Sequence, residues 1–267
     1  RDGQLENGAY PNVAPFNWVE HGSCAWADAG IILPWNVYVM YGDKKIIEEN
    51  YESMVRYMDW LATQKEGTYE YLGSDTRYGD WLAFEDTDKR YISVAHYGYM
   101  ADIMSRMSGA LSETEGDSYD VKASEYADLF GKIKGEFKRR YVGGREGALR
   151  LKSQCAHLLA LKFNMLPDEK SVEASKKALR DRIVANGNKL ATGFIGTGVI
   201  NQTLSEYGMD DLAYTLLLQH DCPSWLYSVD QGATTIWERW NSYTREDGFS
   251  KNIEMNSFNH YAYGAVG

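Results

Sequence analysis

Apolar residues in this chain recur every three or four positions and almost never every second one, a periodicity that restricts it to helices. Ile47, Tyr51, Met54, Val55, Met58 and Leu61 form one stripe, in a helix that Asp43 is placed to cap and that runs to Thr63. Met100, Ile103, Met104, Met107 and Leu111 form a second within 92–111. Ala123, Tyr126, Ala127, Phe130, Ile133, Phe137 and Tyr141 form a third within 118–141. Shorter patterns occupy 153–164, 168–186, 197–207 and 209–220, with a weaker one at 257–266, and Cys24 to Ala29 opens an earlier helix. Only Ala233 to Trp237 has β-branched, strand-like character. The total is about eight or nine helices of roughly 10–22 residues.

No close repeat appears, so the helices read as an all-α array of hairpins that curves or closes. Residues 1–20 read as a lead-in loop. The connections 64–90, 142–152 and 221–256 are long and rich in Gly, Trp, Asp and Glu. Long loops on a rigid frame are where sites tend to sit.

Composition removes several partners. With 28 Lys and Arg against 38 Asp and Glu the net charge is −10, which disfavours nucleic acid. The longest apolar run, Ala29 to Trp35, is broken by Pro34 and falls short of a membrane span. Cys24, Cys155 and Cys222 have no metal or redox spacing and read as buried or semi-buried thiols. No metal and no cofactor is implied. The chain starts at Arg1 without Met or a leader and stops inside an apolar segment, which reads as a fragment of a longer protein.

Nucleophile chemistry finds no support. Gly-x-Ser-x-Gly is absent, and Cys155 and His157 stand two apart on a helix, facing different sides. Gly193-Phe194-Ile195-Gly196-Thr197-Gly198 lacks the Lys and the preceding strand of a phosphate cradle. Glu20-His21 lacks the second His of a metal site. Tryptophan beside a carboxylate, however, occurs three times: Trp26 with Asp28, Asp80 with Trp81, and Trp237 with Glu238 and Trp240. Each has an ordinary reading, with Trp in a core and Asp28 capping a helix. Together they suit a sugar, whose C–H face stacks on an indole while its hydroxyls need acceptors. If 233–240 is extended, Ile236, Glu238 and Trp240 share a face. Apolar flanks would then raise the Glu238 pKa, Arg239 would lower it, and the carboxylate could act as acid or base. The ordinary alternative is a surface ion pair between Glu238 and Arg239.

The chain's motifs resemble a known family. Trp26-Ala27-Asp28-Ala29, Pro34-Trp35, Tyr41-Gly42-Asp43, Gly79-Asp80-Trp81-Leu82, Thr192 to Thr197, Pro223-Ser224-Trp225, Gly232 to Asn241 and Phe258-Asn259-His260-Tyr261-Ala262 follow one another in this order. The series resembles the catalytic domain of bacterial α-L-rhamnosidases, glycoside hydrolase family 78, over nearly the whole chain. The resemblance implies an (α/α)6 barrel with its site at one mouth, and inverting release of terminal α-L-rhamnose from a rhamnose-containing carbohydrate. It implies that Glu238 is the general base, that Trp26 and Trp81 line the sugar pocket, and that His260 contacts rhamnose. Asp28, Asp80 and Trp237 join them as further sugar-binding candidates. The family's general acid, a Glu in an Arg-Asp-Glu-Arg-Leu-Gly-Trp-type segment, is expected upstream of residue 1. Residues 1–267 then form one catalytic-domain fragment, incomplete at both ends, from a protein of the bacterial cytoplasm or periplasm. Its exposed helix faces would seek the missing parts of the parent chain or a second copy. Two other readings stay open: a carbohydrate-binding fragment that lacks the acid, and a helical scaffold in which the site residues do not cluster.

Overall fold

The computed structural model describes residues 1–15, 20–64, 66, 72–115, 118–144 and 147–264. Residues 16–19 of the lead-in, residues 65 and 67–71 of the first long loop, and 265–266 of the weak last pattern lie outside them. The chain divides into two units. The first comprises Arg1–Gly79, Asp88–Val142 and Phe163–Pro167, and the second Asp80–Thr87, Gly143–Lys162 and Asp168–Gly267.

The first unit holds α1 (Ala29–Tyr41), α2 (Lys45–Ala62), α3 (Lys89–Glu115) and α4 (Ser118–Tyr141). The stripe of α2 is buried at Ile47, Tyr51, Met54, Met58 and Leu61, with Tyr57 added to it. Burial of such a side chain contributes about 1.5–3 kcal/mol. α3 is buried on most sides, from Tyr91 and Ile92 to Met107 and Leu111. It pairs with α4, whose Ile133, Phe137 and Tyr141 face inward. The expected cap is shifted by one residue: Lys44 stands at the N-cap, and Asp43 instead accepts the Lys45 N–H at 3.0 Å. α1 runs through Pro34 and stops at Gly42, whose φ of 68° is the left-handed conformation that ends helices. Its Leu33, Val39, Met40 and Tyr41 are exposed.

The second unit holds α5 (Gln154–Lys162), α6 (Glu169–Ala185), α7 (Phe194–Thr197), α8 (Ile200–Glu206), α9 (Asp210–Leu217) and α10 (Trp225–Asp230). α5 is buried all round from Gln154 to Leu161, as a central helix should be. α6 turns Ser171, Ser175, Leu179 and Ile183 inward, and Asp168 caps it by accepting the Ser171 N–H at 2.9 Å.

Four expectations are corrected here. The 197–207 pattern is two pieces, α7 and α8, broken at Gly198-Val199. The 221–256 loop contains α10, too short to show a stripe, though capped by Ser224. Ala233 to Trp237 is not a strand. The short antiparallel pair is Tyr243-Thr244 with Gly248-Phe249, and two-residue strands also occur at Val142–Gly143 and Ala148–Leu149. Residues Tyr261–Gly264 form a 3-10 turn rather than an α-helix. Cys24 and Cys155 are buried and Cys222 half-buried, all as free thiols. Among the described residues no helix is long and apolar enough to cross a membrane.

Candidate active site

Trp26 and Asp28 lie in the first unit; Asp80, Trp81, Trp237, Glu238 and His260 lie in the second. In the first, a turn at Ala25 (φ 69°) leads into α1. Asp28 is 0% exposed. Its Oδ2 accepts the Ala25 N–H at 2.7 Å and its Oδ1 accepts the Tyr57 hydroxyl at 2.7 Å. It makes no capping bond to α1. Asp28 therefore occupies the N-cap position of α1 with its side chain turned elsewhere, and it is no surface acceptor: it pins the turn to α2. Burial pushes the Cys24 thiol well up, and Asp28 adds to the shift. Trp26 is half-buried and tilts against Tyr78 with ring centres 4.6 Å apart. Tyr78 donates to Glu20, which also pairs with Arg77.

In the second unit, four segments far apart in sequence meet. Asp80 is 8% exposed and accepts three backbone N–H groups: Gly193 at 2.8 Å, Ile195 at 2.9 Å and Gly196 at 3.1 Å. Burial raises its carboxyl above the usual range, while those amides and the Cys155 thiol pull it back down. Asp80 was expected to face a sugar; instead both its oxygens face protein. The N–H groups of the Gly193–Gly196 loop, where the sequence argued against a phosphate cradle, gather the carboxylate of this side chain. The half-buried Trp81 lends its carbonyl to the Phe194 N–H at 3.0 Å. Gly193 is required there, because a Cβ would stand 2.1 Å from that carbonyl oxygen.

Phe194 carries the loop into the next segment. Its ring lies 5.0 Å from His260 and 4.9 Å from Tyr263, edge-on to the latter. The His260 N–H donates to Ile236 O at 2.9 Å. Two residues on, the Glu238 N–H donates to Ser257 O at 2.9 Å, and the Ser257 N–H returns to Glu238 Oε2 at 3.1 Å. This reciprocal pair holds a half-buried carboxylate at the edge of the cluster.

Trp237 points the other way. It is 7% exposed, packs its edge against Phe258 and Tyr243, and with Trp240 lines a cavity of about 80 Å³. A space of that size holds about two or three waters rather than a sugar ring. Trp237 is thus packed within the loop cluster, and residues 233–240 are not extended but bend at Thr234, Thr235, Glu238 and Arg239. Trp240 stacks on Tyr263 at 4.2 Å, and the Trp225 indole donates to Tyr263 O at 2.7 Å. The Tyr263 phenol is pushed up by burial and then by Asp80, with Arg239 opposing and Glu238 adding to the rise. Phe194, Ser257 and Tyr263 escaped the sequence reading. Only the glycine-rich run around Phe194 signalled a special backbone.

Comparisons with known proteins show the family of this chain. A family model described as the bacterial α-L-rhamnosidase six-hairpin glycosidase domain matches residues 1–267. An α-L-rhamnosidase of Streptomyces avermitilis is 38% identical over 273 residues, covering 100% of this chain and 25% of that protein. One from Formosa agariphila is 35% identical, covering 100% of the chain and 29% of the relative. Among solved structures, the Streptomyces avermitilis α-L-rhamnosidase complexed with L-rhamnose superposes with a TM-score of 0.89 at 37% identity, over 99% of this chain and 25% of that one. The native Aspergillus terreus enzyme gives 0.87 at 31% identity, over 100% of this chain and 31% of that one. The chain therefore spans between a quarter and a third of the length of these relatives. The all-α, (α/α)6 hairpin class expected from the sequence is the class of these structures.

Proposed function

Because the chain belongs to the bacterial α-L-rhamnosidase family, we propose that it supplies the base side of a site that releases terminal α-L-rhamnose with inversion. The observation that carries this reading is the Glu238 carboxylate. It is half-buried, oriented through Oε2 by the Ser257 N–H, and joined by backbone bonding to the segment that carries His260.

In this scheme Oε1 of Glu238 takes a proton from a water as that water attacks the anomeric carbon. A second carboxylic acid on the opposite face of the ring protonates the departing glycosidic oxygen. The two carboxyl groups of an inverting pair stand roughly 6.5–9.5 Å apart, leaving room for the water. The transition state carries positive charge near the ring oxygen, which nearby carboxylates stabilise. Trp81 offers a flat apolar face to the sugar, and His260 offers a ring nitrogen to a hydroxyl. Cofactor chemistry is not required by any of these steps.

The test is turnover of an aryl α-L-rhamnoside by the full protein, beside Glu238→Gln. A loss of about 10³-fold in kcat is expected for removal of a general base. Unimpaired turnover removes Glu238 from that role. Proton NMR of the first product should show β-L-rhamnose; α-L-rhamnose as first product would exclude inversion.

A further inference from the structure

We propose that Asp80 is a positioning residue of the rhamnoside site, acting through the Gly193–Gly196 loop to seat Phe194 against His260; the proposal rests on the glycosidase reading above. The first four N–H groups of any helix lack partners within it. For the short α7 these needs are met almost entirely from one place. Asp80 Oδ2 takes Gly193, Asp80 Oδ1 takes Ile195 and Gly196, and the neighbouring Trp81 carbonyl takes Phe194. Four successive amides are thus fixed by two residues more than a hundred positions earlier in the chain. The close approach exists because residue 193 has no Cβ to collide with the Trp81 carbonyl.

A loop held at four consecutive amides has little freedom to slide. Phe194, in its middle, can therefore present its ring at one place, 5.0 Å from His260 and 4.9 Å from Tyr263. His260 is in turn bonded through its backbone to Ile236, two residues before Glu238. The line from Asp80 to the His260 imidazole is short, and each link is a direct contact: carboxylate, amides, phenyl ring, imidazole. Asp80 is 8% exposed and both its oxygens accept backbone amides of the loop, so its part runs through the loop. Replacing it with Asn keeps the shape but leaves one acceptor oxygen, and turns an NH2 group toward N–H donors.

The experiment has two readouts on the full protein. In the first, wild type, Asp80→Asn, Phe194→Leu and the double variant are assayed on an aryl α-L-rhamnoside. Each single change is expected to raise KM about tenfold with kcat changed less than about threefold, the pattern of lost substrate binding. If Asp80 acts through Phe194, the double variant is no worse than the worse single one. Multiplicative losses, or a silent Phe194→Leu beside an impaired Asp80→Asn, overturn the proposal. The second readout needs no substrate. The His260 ring proton resonances sense the Phe194 ring current and should move alike in Asp80→Asn and Phe194→Leu; an unmoved His260 signal in Asp80→Asn overturns the proposal. If Asp80→Asn does not fold, Gly193→Ala pushes the same loop off the Asp80-Trp81 backbone and should give the same KM rise and the same shift, and unchanged values for it overturn the proposal. A wild type that leaves rhamnosides untouched, while the His260 signal moves as expected, defeats the glycosidase reading and leaves the positioning intact.

Discussion

Asp28 and Asp80 look interchangeable in the sequence, each close to a tryptophan, and both are buried beside a buried thiol, Cys24 in one unit and Cys155 in the other. What they hold differs. Asp28 ties a turn three residues back to the Tyr57 hydroxyl on α2, a contact inside the packed face of a helix pair. Asp80 gathers amides from a loop 113 to 116 positions away. The first arrangement stabilises a core; the second fixes the place of a side chain that faces a site. Glu238 is the third carboxylate of the series and the contrasting case, half-buried and oriented by one amide. A carboxylate beside a tryptophan is thus not one signal, and its partners decide which of three jobs it does.

Stability measurements should separate the three. The largest effect is expected for Asp80→Ala, which strands three buried N–H groups at about 4 kcal/mol in urea unfolding. Asp28→Ala strands one hydroxyl and one amide and should lose about 3 kcal/mol. Equal losses within error would erase the distinction between the two anchors. Acid sharpens the comparison between the units. His157 on α5, bonded to Ser175 of α6 at 2.8 Å, is held by burial at a pKa of about 4. It stays neutral in the fold while the unfolded chain takes up a proton below its ordinary value of 6.5. The stability it preserves is therefore complete above pH 6.5 and is lost as pH falls toward 4, by about 3 kcal/mol at most. Urea midpoints at pH 7.5 and 4.5 should show this loss, and His157→Gln should shrink the difference between them. The smallest effect belongs to Glu238→Gln, within about 0.5 kcal/mol of wild type, as for a change outside the core. A large destabilisation there would make Glu238 another anchor and weaken its assignment as base.

The helices were legible because each buries a stripe that repeats with the helical period. α2, α4 and α6 lie within a few residues of where Ile47 to Leu61, Tyr126 to Tyr141 and the Asp168 cap put them. α10 was not legible, since six residues cannot display a period, although Ser224 was a capping signal. Glu238 and His260 could be singled out because reactive side chains are visible as letters. The work of Asp80 could not, because it depends on a pairing across more than a hundred residues that leaves no local pattern. The same holds for Trp237, whose burial comes from Tyr243 and from the more distant Phe258.

The four-amide grip on the Gly193–Gly196 loop has a practical consequence for anyone wishing to retune this protein. The grip uses backbone atoms at all four positions, so it makes no demand on the identity of the Phe194 side chain, while it forbids any Cβ at residue 193. In a mutant library built over this loop, every clone altered at 193 would carry a displaced loop. The same library could exchange the ring at 194 for other shapes without disturbing its mount, which makes that position a dial for the surroundings of His260 set on a fixed base.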